Sequence, residues 1–342
     1  MGETPEVRNL FVSAGFNAYG VTGAGGAGMV IGEWILNGEP PFDLWSFDIR
    51  RFGAYHRSDN QVLARSLEGQ GHHYTIIWPY EEMTAGRPLR RSAIYGALKE
   101  KRACFGAKFG WERPNWFAPE GVEPVEINSF ARPNWHDYVG AEHTACRNAA
   151  ALFDQSSFAK FTLVGRDAES VLQRICAGDV ATAPGRVTYT AMLNNHGGIE
   201  CDLTVTRVAE DQYYIVTGTG FATHDFDQIQ RHIPDDAHAS LVDVTSAFGV
   251  LSLMGPNARQ ILEAAAEGDV GAEAFPFMAA QEIQIGGAPV RALRLTYVGE
   301  LGWELHVPSE YMLTVYETLC AKGTTFGLVD AGYRAIDSLR LE

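Results

Sequence analysis

Apolar and polar positions alternate with a period of two over residues 199–206. Ile199, Cys201, Leu203 and Val205 fill the odd places, and Glu200, Asp202, Thr204 and Thr206 the even ones. A strand here buries one set and turns the other away. The strand-like Val187–Leu193 precedes it, and Asn194-Asn195-His196-Gly197-Gly198 lies between, so the pattern predicts a hairpin. A second hairpin is predicted from 290–298 and 303–307, where Gly299 and Gly302 bracket Glu300-Leu301. Taken as a two-residue loop, that pair sets 298 against 303 and Tyr297 directly opposite Glu304, on one face. Shorter strands are expected at 160–164, 213–218 and 250–253, with a strand-like run at 73–78. In residues 310–322 the period becomes helical: Met312, Leu313, Val315, Tyr316, Leu319 and Cys320 share a face that Gly323 terminates. Helices are also expected at 60–68, 92–101, 142–152, 168–176 and 258–266. Hairpins mixed with helices, without a repeat at solenoid spacing, indicate an α+β fold.

The first fifty residues read differently. Residues 9–21 suggest a buried strand and its turn. Gly23-Ala24-Gly25-Gly26-Ala27-Gly28 suggests a glycine-rich loop, and Met29, Val30, Ile31, Trp34 and Ile35 an apolar helix that Gly38 and Pro40-Pro41 stop. Such a loop at a helix start lets backbone amides approach an anionic ligand. It serves equally as a tight turn for close packing. A dinucleotide fingerprint would want an acidic residue about twenty positions on, closing a second strand, and none stands there. Pro119, Pro124 and Pro133 mark a linker-like stretch. The expected division is 1–52, 53–134 and 135–342. A strand–loop–helix unit without a sheet, and a patterned segment running to residue 342, read as a chain interrupted at both ends.

Composition narrows the partners. A chain of 342 residues with 46% hydrophobic and 20% charged positions fits two soluble domains, or one domain and pieces of others. A formal net charge of −15 repels nucleic acid and anionic membrane surfaces, so a small-molecule substrate is expected. No apolar run reaches the roughly 18 residues that span a bilayer, and the polar N-terminus resembles no targeting peptide. The five cysteines are odd in number and widely spaced, without metal-ligand spacing. Reduced thiols in a cytosol-like compartment and no structural metal are the expectation.

Two candidate sites follow from the hairpins. Asp202 stands on a polar strand face with Thr204 and Thr206, and Tyr297 is expected beside Glu304. The plain alternatives are a solvated strand face and an exposed cross-strand pair.

Several ordered motifs carry a resemblance. GFNAYGVTGAGGAGMVIGEWILNGEPPFDLWSFDIRRF is similar to the end of the flavin domain of sarcosine and dimethylglycine dehydrogenases, and KFGWERPNWFAPEG to the segment that follows it. NNHGGIECDLTV, LMGPNAR, YVGELGWELHVP and AGYRAIDSLRLE resemble the aminomethyltransferase (glycine-cleavage T-protein) domain those enzymes carry. The resemblance implies an aminomethyltransferase-like folate-binding domain preceded by the strand, glycine loop and helix of an FAD-dependent oxidoreductase domain. It implies FAD-dependent oxidation of an N-methylated glycine and transfer of the one-carbon unit to tetrahydrofolate. Asp202 matches the family's folate-domain acid, and Tyr297 and Glu304 its folate-contacting pair. Gly25, Gly26 and Gly28 fall where the family's glycine loop meets flavin. The family often has two adjacent acids, and here the first is Cys201. Alternatives are a stand-alone aminomethyltransferase and a non-enzymatic folate-binding module. The chain alone is not expected to hold FAD. The compartment expected is cytoplasmic, or the mitochondrial matrix in a eukaryote.

Overall fold

The computed structural model describes residues 1–341. Its first part is sparse in sheet. β1 (Gly2–Glu3) and β2 (Phe11–Val12) pair briefly, and α1 (Gly20–Asn37) follows. Gly25, Gly26 and Gly28 lie inside α1, which corrects the expected loop. The helix is already established at Gly23, whose N–H donates to the Tyr19 carbonyl at 2.8 Å. Each interior glycine costs about 1 kcal/mol against alanine, but burial of Val30 and Trp34 one and two turns on anchors the element. Gly38 ends it in the left-handed conformation, φ 81°, as expected. The strand expected over 9–21 shrinks to Phe11–Val12, and 73–78 forms no strand.

α2 (Asp59–Gly71) and α3 (Tyr95–Glu100) lead to the hairpin β3 (Ala103–Lys108) and β4 (Trp111–Phe117), and then to α4 (His136–Asn148). The helix expected to reach residue 152 stops at Asn148, and β5 (Ala150–Asp154) begins. Ala149 breaks helical geometry, and every residue of β5 is buried, so no amphipathic period distinguishes strand from helix there. Next come β6 (Ala159–Val164), α5 (Ala168–Ile175), β7 (Val187–Leu193), β8 (Ile199–Ala209), β9 (Gln212–Thr217), α6 (Ala222–Arg231) and β10 (Ser240–Asp243). The remainder is β11 (Phe248–Met254), α7 (Ala258–Ala265), β12 (Ala266–Glu267), β13 (Ala280–Ile285), β14 (Ala288–Leu293), β15 (Gly302–Pro308), α8 (Met312–Gly323), β16 (Leu328–Asp330) and α9 (Tyr333–Leu339).

Two sheets dominate. One has five strands in the order β10-β6-β9-β8-β7, the other seven in the order β12-β13-β14-β15-β11-β5-β16. Each buries its apolar face under helices. Phe161, Leu203, Val205 and Ile215 of the first meet Leu172 of α5 and Ile229 of α6. Leu253, Val290, Trp303 and Leu305 of the second meet Ile261 of α7 and Leu319 of α8. The opposite faces look toward one another. Val187 on β7 packs with Leu293 and Leu295, and Tyr214 on β9 reaches His306 on β15.

Register corrects one expectation. β14 and β15 pair Arg291 with His306, Ala292 with Leu305 and Leu293 with Glu304. Tyr297 therefore lies in the connection 294–301, not opposite Glu304. Tertiary bonds open the turn. Arg294 N–H donates to Ala279 O at 2.8 Å, and Arg147 holds both Val298 O and the Glu300 carboxylate, the latter at 2.8 Å.

Candidate functional site between the two sheets

β8 pairs Asp202 with Ala191 and Thr204 with Val216, and β7 sets Tyr189 opposite Thr204. Directly opposed residues share a face, so Tyr189, Asp202, Thr204, Val216, Thr206 and Tyr214 all project from one side of the five-stranded sheet. That side faces β15, because Tyr214 Oη lies 3.0 Å from His306 Nδ1. Glu304 stands two residues from His306 and on its face. Asp202 and Glu304 thus belong to the two walls of one inter-sheet space.

The walls are polar and incompletely satisfied. Glu304 is 5% exposed and His306 wholly buried, with Oε2 and Nε2 3.5 Å apart. Burial holds the His306 imidazole below its ordinary pKa, against the pull of Glu304. Thr206 Oγ1 is buried without a hydrogen-bond partner, and His306 Nε2 has only the Glu304 carboxylate, at 3.5 Å. Such groups are rare in native proteins and ask for a ligand. At the open end, Tyr189 Oη donates to Asp202 Oδ2 at 2.6 Å. That bond, with some burial, pushes the Tyr189 phenol up to about 12. Arg340 donates to Tyr297 Oη and lies 4.0 Å over its ring, while Phe158 meets the same ring edge-on. The Tyr297 phenol is raised by burial, with the charge of Asp202 adding to it, which places the two near one another.

On its other side Asp202 borders a cavity of about 580 Å³. One wall comes from residues 40–50 and the other from the tip of the β7–β8 hairpin and α6. Glu200, left unpaired where the β7–β8 register shifts, faces His224 Nε2 at 3.5 Å, and His224 Nδ1 meets Asp225 at 2.8 Å. Thr217 also donates to Asp225. Trp45 stacks on Phe221 and meets the His224 ring edge-on. Sequence reasoning missed Tyr189, His224, Asp225 and Arg340. The polar alternation that marked Asp202 also marks Glu200, but their partners come from other elements.

The expected flavin contacts lie elsewhere. Gly25, Gly26 and Gly28 are exposed on α1, and a Cβ on any of them would meet nothing within 4 Å. That side of α1 is therefore bare, and a large group can approach the helix backbone closely there. Among the described residues no cluster of His, Cys, Asp or Glu has metal-binding geometry. None of the described helices is long and apolar enough to cross a membrane.

The GCVT N-terminal domain family matches residues 94–342. The chain belongs to that family. Ahead of the GCVT match, residues 37–92 match the FAD dependent oxidoreductase central domain. Along its whole length the chain is 38% identical to the mitochondrial sarcosine dehydrogenase of Homo sapiens. It is 36% identical to the mitochondrial dimethylglycine dehydrogenase of Mus musculus. It spans 42% and 39% of those proteins, about two fifths of each. Among solved structures, the glycine cleavage system aminomethyltransferase T from Bartonella henselae superposes with a TM-score of 0.61 at 28% identity. That match covers 74% of this chain and 62% of the other. The GCVT fold expected from the motifs is thus the fold present, and the flavin-oxidoreductase segment precedes it.

Proposed function

We propose that this chain is the folate-linked part of an FAD-dependent dehydrogenase of N-methylated glycines, sarcosine or dimethylglycine. It captures the one-carbon unit on tetrahydrofolate as 5,10-methylenetetrahydrofolate. The carrying observation is the inter-sheet space, with Asp202 on one wall, Glu304 and His306 on the other, and Thr206 Oγ1 buried between them without a partner. A flat heterocycle with N–H donors and ring acceptors fits such walls. Glu304 can accept from pterin N–H groups, Tyr297 can pack on the ring, and Asp202 can take the proton released as N5 and N10 close over the carbon. In this reading residues 1–52 end the flavin domain, 53–134 connect and 135–342 bind folate. Gly25, Gly26 and Gly28 leave one side of α1 without side chains, so the flavin can approach that helix closely; when bound it supplies hydride acceptance. The amines handled are small zwitterions in a chain of net charge −15. The compartment proposed is one that keeps the five thiols reduced: cytoplasm, or mitochondrial matrix in a eukaryote.

Asp202→Asn tests the reading. It keeps size and removes basicity. With flavin-loaded holoenzyme, methylenetetrahydrofolate formed per substrate oxidised is expected to fall by about 10²–10⁴-fold, the usual worth of a positioned base, with formaldehyde in its place. Unchanged partitioning between the two products would mean that Asp202 is only a solvated strand residue.

A further inference from the structure

A glutamate that accepts from a heterocycle has to present its carboxylate in one direction, and its side chain has several staggered conformations to choose from. Two positions along β15, His306 shares the inter-sheet face with Glu304. The His306 ring is wholly buried, while Glu304 keeps 5% of its surface exposed. His306 Nε2 lies 3.5 Å from Glu304 Oε2 and has no other partner among the described residues. At the far side of the ring, Nδ1 lies 3.0 Å from Oη of Tyr214, itself wholly buried on β9 of the facing sheet. The three groups form a chain that starts in the interior and ends on the one member that keeps some exposure.

We propose that His306 is the positioning residue of Glu304: its Nε2–H holds Oε2, Oε1 is thereby turned to the N–H groups of the pterin, and Tyr214 fixes the tautomer that allows it. This rests on the folate reading above. A neutral imidazole carries a single N–H. With that proton on Nδ1, the Nε2 lone pair would face the lone pairs of Oε2, which repels. With the proton on Nε2, the ring donates toward Oε2 and Nδ1 accepts from the Tyr214 hydroxyl. Burial pushes the Tyr214 phenol up, so its proton stays available for that bond. The phenol ring is held in turn, edge-on to Phe248 and with the Arg291 guanidinium 4.8 Å over it. The 3.5 Å separation at Nε2 is at the outer limit of a hydrogen bond, and site contacts of this kind often tighten once a ligand is bound.

The surroundings keep the ring uncharged. Burial lowers the His306 pKa, Glu304 acts to raise it, and Lys160 on β6 and Arg291 on β14 lower it further, leaving it below its ordinary value. Lys160 reaches across from the five-stranded sheet, its Nζ donating to Ser156 O at 2.8 Å and Phe248 O at 2.7 Å. Neutrality matters for the ligand. A neutral donor orients Glu304 without cancelling its charge, so the carboxylate still faces the pterin N–H groups as a charged acceptor, the stronger kind. An imidazolium would draw that charge into an ion pair with itself.

The experiment uses flavin-loaded holoenzyme. The tetrahydrofolate Kd is measured by anaerobic calorimetry, and methylenetetrahydrofolate is measured per sarcosine oxidised at saturating tetrahydrofolate. His306→Leu removes the donor at similar size and is expected to raise Kd by about 10-fold, the worth of one hydrogen bond to a charged group. Capture at saturation is expected to stay as in wild type, since Asp202 is untouched. His306→Gln supplies an N–H and an oxygen in place of the ring atoms and is expected to restore most of the affinity. Tyr214→Phe keeps the aromatic packing, so it reports even where His306→Leu fails to fold, and a several-fold rise in Kd is expected. In a Glu304→Gln background, His306→Leu and Tyr214→Phe are expected to change Kd no further, because both act through Glu304. Undiminished effects in that background, or Tyr214→Phe and His306→Leu binding as wild type does while Glu304→Gln binds weakly, overturn this assignment alone. A wild-type enzyme that binds no tetrahydrofolate, or a Glu304→Gln enzyme that binds it unchanged, overturns the folate reading of Glu304, and this assignment with it.

Discussion

At the scale of single residues, Tyr189 shows how a site assembles from positions that look ordinary. It is 65% exposed on a strand and reads as surface. Its phenol nonetheless holds Asp202 at 2.6 Å from the diagonal position on the neighbouring strand. This bond leaves the other carboxylate oxygen free to work and fixes its direction. Tyr189→Phe is expected to lower folate capture by several-fold, less than Asp202→Asn, because orientation is lost and basicity is kept. Thermal stability is expected to change by under about 1 kcal/mol, since the removed hydroxyl is solvated; a calorimetric scan beside the product assay checks both. Asp202 was legible because period-two alternation sets a strand's faces without tertiary information. Tyr189 was not, since a diagonal cross-strand contact requires the register. Tyr297 and Glu304 were both legible as candidates, but their juxtaposition was misread. Two glycines around two residues imply a tight loop, and the Arg147 and Ala279 contacts that open it into 294–301 come from other parts of the chain.

Elements whose signal is local were read well, and those set by burial were not. The β7–β8 hairpin was predicted almost to its ends because its turn carries its own chemistry. Asn194 Oδ1 accepts from His196 and Gly198 N–H groups at 3.0 and 2.8 Å, and Gly197 takes φ 81°. Asn194→Ala removes both bonds and the one that Nδ2 donates to Glu200. It is expected to destabilise the domain by about 1 kcal/mol and to raise the hydrogen exchange of amides 193–199; unaltered exchange there argues that strand pairing alone sets the turn. By contrast, β5 is buried on both faces, so its continuous apolar run was absorbed into the preceding helix. The glycines of α1 misled in the other direction. Their low propensity suggested a loop, and packing of Val30 and Trp34 against Leu44 overrode it.

On the scale of the whole molecule, the part before residue 53 is joined to the GCVT part by charged side chains. Arg50 pairs with Asp48 and Asp227, Arg231 with Asp227 and Glu3, and His196 with Glu39. The glycine-lined side of α1 remains bare, and Val21, Met29 and Leu36 of the same helix are exposed. An exposed helix side offers close approach and no enclosure. The chain purified from flavin-rich cells is therefore expected to be colourless, and a stoichiometric flavin absorbance band would count against the placement of Gly25, Gly26 and Gly28 as one contact among many. The two sheets were each foreseeable from hairpins. Their facing arrangement was not, because apart from Val187, Leu293 and Leu295 the side chains named across the gap are polar and carry no hydrophobic period.

That polar seam has a consequence for cohesion. Most layered domains are glued by oil between their sheets. Here most of the glue lies on the outer faces, under the helices, and the seam holds Tyr214, His306, Glu304 and Thr206, with the Thr206 hydroxyl unsatisfied. A heterocycle lodged there acts as mortar as well as cargo. It would add to the folded state by mass action, about 2.7 kcal/mol at a hundred times its dissociation constant. The empty protein would then be the softer one, its layers free to breathe until the acceptor arrives.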